Sequence, residues 1–188
     1  MYIARILCPI LSLGPGKRLV IWTKGCSKNC PDCISPEMAS FDESCYVPVE
    51  DIYGIVEKIY NSEGFDGVTI SGGDPFEQLD ELLLLLKKIR KFTNDILVYT
   101  GYIWSDFEEK IDSATKCGLI KNIGVLIDGP YIKEQNFDNL TLRGSANQNI
   151  IFFDQKLKKQ YEIYLKQGRL LQNIYMGEDL CIIGIMNK

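Results

Sequence analysis

The feature that most restricts the fold of this chain is an alternation of two hydrophobic periods. Short β-rich runs (Leu19-Val20-Ile21-Trp22, the stretch Gly67 to Ser71, Ile96 to Thr100, and Ile123 to Ile127) alternate with stretches whose apolar residues recur at helical spacing. Ile52, Ile55, Val56, Ile59 and Tyr60 mark a first helix between Pro48 and Gly64, and Leu79, Leu82, Leu83, Leu86 and Ile89 mark a second. Ser105 and Glu108 stand at capping-box spacing, which predicts a third helix carrying Phe107, Ile111 and Ala114. Strands that alternate with helices of this length predict βαβ units and a parallel sheet. The apolar segment Tyr2 to Leu13 reads as a further, buried strand at the start of the chain. Its single basic residue, Arg5, and the lack of a small-residue cleavage site before Gly14-Pro15-Gly16 do not suit a signal peptide.

After Asp128-Gly129-Pro130 the rhythm breaks. A long polar connection runs to Asn149, and loops of that length are usually functional. A strand at Ile150 to Phe153, a helix carrying Leu157, Tyr161, Tyr164 and Leu165, and a hairpin turning at Gly177-Glu178-Asp179 are predicted to follow. A closed eight-fold barrel needs about 250 residues, and this chain has 188. The expected fold is therefore α/β: an incomplete, laterally open (β/α) barrel of about five or six mainly parallel strands with a C-terminal hairpin, all in one domain spanning residues 1–188.

Composition narrows the function by exclusion. The chain has no histidine, which removes His-based triads, imidazole metal ligands and imidazole acid–base chemistry together. With a net charge of −4 and no Lys/Arg cluster, neither nucleic acid nor an anionic membrane surface is an expected partner. The longest apolar run, Leu82 to Leu86, is five residues, against the roughly 20 that cross a bilayer. Seven cysteines is an odd number, and three of them crowd into one short loop, which favours reduced thiols and a cytoplasmic protein over a disulfide framework.

That loop, Gly25-Cys26-Ser27-Lys28-Asn29-Cys30-Pro31-Asp32-Cys33, directly follows a strand. Its C-x3-C-x2-C spacing gathers three thiolates, which suits a cubane iron–sulfur cluster and leaves one iron open to a ligand. A structural zinc would need a fourth ligand, which Cys45 or Cys8 would have to supply. Cys8, Cys117 and Cys181 lie in or beside apolar segments and read as buried, unreactive thiols. About forty residues beyond the cysteine loop, Ser71-Gly72-Gly73-Asp74-Pro75 ends the next strand. Glycines there let backbone approach a ligand closely, and a carboxylate beside open carbonyls can receive an ammonium group.

Together these motifs resemble the radical S-adenosylmethionine (SAM) superfamily. The resemblance implies a [4Fe–4S] cluster held by Cys26, Cys30 and Cys33. It also implies a SAM molecule bound at the open iron and held by Gly72, Gly73 and Asp74. Gly14-Pro15-Gly16-Lys17-Arg18, Tyr99-Thr100-Gly101-Tyr102, Asp128-Gly129-Pro130-Tyr131 and Arg143-Gly144-Ser145-Ala146-Asn147-Gln148 extend it from about Gly14 to Gln148. They are similar to stretches of the anaerobic ribonucleotide reductase activating enzymes, a glycyl-radical activase branch. This implies reductive cleavage of SAM to a 5′-deoxyadenosyl radical and a glycyl-radical enzyme as the protein partner. It implies an electron donor such as flavodoxin or ferredoxin, and further SAM contacts from Asp128, Ser145 and Asn147. Asp32 departs from the branch, which often has Gly at that place.

Two other functions stay open on the same residues: radical SAM chemistry on a small molecule or ribosomal peptide, and a zinc-stabilised interaction module. The Gly14-Pro15-Gly16-Lys17 stretch lacks phosphate-loop spacing and precedes a strand, so it reads as a tight turn that could bring Arg18 near the site.

Overall fold

A computed structural model describes residues 1–177 and 179–186. Six strands form one mixed sheet in the order β1-β2-β3-β4-β5-β6: Ile3–Ile10, Arg18–Thr23, Gly67–Gly72, Ile96–Tyr99, Val125–Asp128 and Asn149–Phe152. The inner pairings, β2 with β3, β3 with β4 and β4 with β5, are parallel. Both outer strands run antiparallel to their neighbours. The intervening helices are α1 (Val49–Ser62), α2 (Leu79–Ile89), the single turn α3 (Trp104–Phe107) and α4 (Ser113–Asn122). After β6 come α5 (Lys158–Leu165) and a separate hairpin of β7 (Leu171–Met176) and β8 (Asp179–Gly184). The predicted turn of that hairpin includes Glu178, which lies outside the described residues.

The period-2 alternation of the central strands divides their side chains between two cores. Leu19, Ile21, Val68, Ile70, Ile96, Val98 and Leu126 pack under Ile52 and Val56 of α1, Leu82, Leu86 and Ile89 of α2, and Leu119 of α4. Leu97, Val125 and Ile127 point to the other face, where Tyr161 and Tyr164 of α5 cover them. Val20 joins Ile10, Leu13 and Ile183 there, so the hairpin roofs the β1–β2 side of the same face.

Two expectations are corrected. The N-terminal strand is not buried: β1 is a sheet edge whose residues are mostly half-exposed. The Ser105/Glu108 helix is two helices. The first turn is capped by a tertiary acceptor, Asp128 Oδ2, which receives the Trp104 N–H at 2.7 Å. The second starts afresh where the Asp112 carboxylate accepts from the backbone of Ala114 and Thr115 at 2.9 and 3.0 Å. An Asp aimed at free N–H groups is a stronger start signal than the Ser/Glu pair that preceded it.

Candidate functional site

Four parallel strands aligned in register end at one edge, and the loops that leave them form the walls of a cavity of about 390 Å³. That volume lies within the range of small-molecule sites. Cys26, Cys30 and Cys33 from the loop after β2 line it, together with Gly72 at the end of β3, Gly73 and Asp74 after it, Thr100 and Gly101 after β4, and Gly129 after β5.

The cysteine loop is tied at its base. Gly25 N–H donates to Met38 O and Cys26 N–H to Ala39 O, both at 2.8 Å, so the chain from Cys26 to Met38 leaves and returns at one point. Gly25 sits at φ +94, and a Cβ there would collide with the Phe41 ring. Within the loop, Asn29 and Asp32 adopt left-handed φ values of 48 and 57. This explains the departure at Asp32: the backbone there takes the conformation that glycine adopts without cost, and aspartate is among the few other residues that tolerate it. The Asp32 carboxylate lies 3.2 Å from Lys133 Nζ and is thereby linked to the long connection after β5.

The glycine pair meets the loop base directly. Gly73 N–H donates to Thr23 O at 2.8 Å and Asp74 N–H to Gly25 O at 2.9 Å. A Cβ on Gly73 would overlap the Gly25 carbonyl, and one on Gly72, at φ +113, would overlap Thr23 backbone. Only glycine lets the two loops approach this closely.

Asp74 is 1% exposed, and its carboxylate is held from several sides. Oδ1 accepts from Phe76 N–H at 3.0 Å and from the Thr100 hydroxyl at 2.9 Å. Oδ2 accepts from Gly101 N–H at 2.9 Å and faces Lys28 Nζ at 3.0 Å. Burial works against the Lys28 charge, but the neighbouring Asp74 carboxylate outweighs it and holds the ammonium above its usual pKa. Burial likewise raises the Cys26 thiol, with the Lys28 backbone N–H pulling the other way.

The other expected contacts sit behind the wall. Asp128 caps α3 and accepts from Asn149 N–H and Nδ2 at 3.2 and 2.9 Å. Ser145 Oγ accepts from Ile132 N–H at 3.1 Å, and Asn147 Nδ2 donates to Pro130 O at 2.7 Å. None of the three lines the cavity; their neighbours Gly129, Gly144 and Gln148 do. Arg18 is at the opposite end of β2, buried against Asp95, and not near the site.

Several lining residues were not among the expected site residues: Lys28, Thr100, Gly101, Arg5, Trp22 and Cys181. Thr100-Gly101 stands at the end of a predicted strand, in a motif the resemblance already used, and was legible by that position. Cys181 is not fully buried as expected: it is half-exposed, lines the cavity, and accepts from Arg5 Nη1 at 3.1 Å. Cys117 is exposed, and Cys45 turns toward Asp42 outside the cavity.

The donor set fits an iron–sulfur cluster with a nucleoside ligand: three thiols and a glycine-floored carboxylate share one cavity, and no disulfide joins any described cysteines. Among the described residues no three His, Cys, Asp or Glu side chains converge on a point suited to one metal ion. A mononuclear zinc draws its sulfurs to about 2.3 Å from a single ion, whereas a cubane offers each thiolate a different iron.

Comparison with known proteins agrees. A family described as a 4Fe-4S single cluster domain matches residues 12–151. The anaerobic ribonucleoside-triphosphate reductase-activating protein of Haemophilus influenzae is 32% identical over 144 residues, covering 73% of this chain and 88% of its own length. Its namesake in Escherichia coli K12 is 29% identical over 144 residues, covering 72% and 88%. The pyruvate formate-lyase-activating enzyme of Staphylococcus epidermidis is 34% identical over 151 residues, covering 77% of this chain and 58% of its own length. With the cysteine loop, the glycine pair and these relatives in agreement, the chain belongs to the 4Fe-4S single cluster domain family and, within the radical SAM superfamily, to the glycyl-radical activating branch.

Proposed function

We propose that this protein installs a glycyl radical on a large partner enzyme, of which anaerobic ribonucleotide reductase is the first candidate. The observation that carries the proposal is the meeting of Cys26, Cys30 and Cys33 with Gly72, Gly73 and Asp74 around one cavity. When bound there, a [4Fe–4S] cluster and SAM supply reductive cleavage of the sulfonium and abstraction of a hydrogen atom from the acceptor glycine.

The chain's own residues prepare that chemistry. Cys26, Cys30 and Cys33 give three thiolates from a loop whose base is pinned. Gly72 and Gly73 let the ligand's methionine end lie against backbone, and Asp74 presents a fixed carboxylate to its ammonium. Asp128, Ser145 and Asn147 act through the wall: they hold the segments that present Gly129, Gly144 and Gln148 to the ligand. The electron comes from a small redox protein such as flavodoxin or ferredoxin.

The sheet serves this role as an incomplete, laterally open (β/α) barrel. Its sequential order β2-β3-β4-β5, with crossover helices sharing one apolar core, is the arrangement that right-handed βαβ units give. A macromolecular acceptor suits the cavity rim, where Ile34 is 47% and Ile182 46% exposed. No helix among the described residues is long and apolar enough to cross a membrane.

The test is anaerobic iron–sulfur reconstitution, followed by SAM, reductant and a candidate glycyl-radical enzyme. Formation of 5′-deoxyadenosine together with a glycyl doublet in the EPR spectrum of the partner is expected. Nucleoside without a doublet on any such partner would move the acceptor to a small molecule or peptide. A colourless protein containing zinc would end the proposal.

A further inference from the structure

We propose that Lys28 is an internal counter-ion: it holds the ammonium position on Asp74 while the site is free and moves to Glu77 when the ammonium of a sulfonium amino acid arrives. The inference rests on the reading of Asp74 as the ammonium acceptor and adds what must happen for that contact to form.

The acceptor arithmetic at Asp74 is the starting point. A carboxylate offers about four lone-pair positions. Phe76 N–H and the Thr100 hydroxyl take those on Oδ1, and Gly101 N–H takes one on Oδ2, which the same Thr100 hydroxyl approaches more weakly at 3.2 Å. The position that remains is the one Lys28 Nζ faces at 3.0 Å. An incoming ammonium and Lys28 therefore compete for one place.

Lys28 is held there mainly by the charge of Asp74. Its Nζ is buried, yet none of its contacts has hydrogen-bond geometry. The nearby Tyr102 ring, centroid 2.9 Å from Nζ, gives a cation a favourable face and no fixed acceptor. The aliphatic stem passes over Gly101, where a Cβ would come within 2.5 Å of Cδ, so only glycine there lets the stem reach Asp74. A flexible stem with a point charge suits such movement better than a planar guanidinium would.

A second carboxylate stands within reach of the same ammonium. Glu77 Oε1 lies 3.6 Å from the same Nζ. It is kept in place by the Ser27 hydroxyl at 2.6 Å, Ser27 N–H at 3.2 Å and the Tyr102 hydroxyl at 3.0 Å. Asp74 and Glu77 share the one ammonium of Lys28, so this group of three is one positive charge short, and a ligand ammonium supplies it. After exchange each acid has its own cation, which in a partly buried site is worth more than it would be in water.

The alternative is a fixed clamp, with Lys28 staying on Asp74 to pin the cysteine loop. Equilibrium binding of SAM to the cluster-loaded protein separates the two, because the double-mutant cycle reads coupling directly. Under exchange, Lys28→Met removes the competitor and tightens SAM binding by about tenfold, or about 1.4 kcal/mol. Glu77→Gln weakens binding in the parent, where Lys28 loses its destination, and has little effect in the Lys28→Met background. Should the Met variant load less iron than the parent, Lys28→Gln is read in its place. Unchanged or weaker SAM binding with full iron content, or additive effects of the two substitutions, would overturn the exchange. A parent protein that carries its cluster and fails to bind SAM would instead overturn the reading of the site itself.

Discussion

The two ends of the parallel sheet each hold a carboxylate against a cation, and they differ in how completely the cation is bound. At the N-terminal end, Arg18 is fully buried and gives every face of its guanidinium a partner. Nε donates to the Thr69 hydroxyl at 3.0 Å, Nη1 to Asp95 Oδ2 at 2.7 Å, and Nη2 to Val68 O at 2.6 Å. Asp95 also accepts from the Tyr161 hydroxyl at 2.7 Å and Gln160 Nε2 at 2.9 Å. Burial pushes the Tyr161 phenol well up, so it keeps its proton and remains a donor. At the C-terminal end, Asp74 is also deeply buried, but its cation is a lysine ammonium at 3.0 Å, a point charge without the many directed bonds of the guanidinium. A closed network serves stability and an incompletely bound one serves exchange. This matches the division seen in barrel enzymes, where chemistry collects at the C-terminal face of the strands and stability at the other.

Substitutions at the two ends should therefore fail in different ways. The largest effect is expected from Cys30→Ala: loss of iron–sulfur absorbance and of 5′-deoxyadenosine formation, while the apo form keeps the urea midpoint of apo parent. A matching loss of apo stability would show that the cysteine loop is structural, and the contrast between the ends would disappear. Asp95→Ala should do the reverse. Removing one partner of a buried ion pair strands the other, at a cost of about 3–5 kcal/mol in urea unfolding, with iron content per folded molecule unchanged. Next comes Gly73→Ala, whose Cβ would press on the Gly25 carbonyl and separate the two loops. On the order of 100-fold slower 5′-deoxyadenosine formation is expected from a displacement of about 1 Å, with little change in unfolding.

The smallest effect lies outside both networks. Hydrogen bonds from the Ser44 hydroxyl and backbone, helped by Lys24, hold the Asp42 carboxyl down to about 2 from the usual 3.8. A depressed folded-state pKa contributes stability above the unfolded value and loses it as pH falls through the folded one. The Asp42 contribution is thus complete above about pH 4 and gone by about pH 2; Asp42→Asn should flatten that limb of an acid titration slightly. Either end network responding in that window would blur the comparison.

Much of this arrangement was legible in the sequence, and the parts that were not share a physical cause. The period alternation gave the parallel strands and α1 and α2 because those segments bury one face against one sheet, and burial is what periodicity records. The Cys and Gly-Gly-Asp motifs announced themselves because their residues meet through consecutive strand ends. Lys28 carried no signal: a charged residue in a polar loop reads as solvated, and its burial depends on Asp74, Glu77 and Tyr102 arriving from two other strand ends. The capping contacts of Asp128 carried no signal for the same reason, since its partners Trp104 and Asn149 lie 24 and 21 residues away. Asp32 is the instructive middle case. Its departure from glycine was visible, but only the backbone φ says why glycine would be at ease there.

The central claim is that three thiolates leave one iron vacant beside the Gly-Gly-Asp floor. Electron–nuclear double resonance on the reduced, reconstituted protein with SAM labelled by 15N at its amino group tests this most directly. The account predicts a 15N coupling to the cluster that Asp74→Asn weakens. A cluster with no such coupling, and a fourth protein ligand in its place, would contradict it.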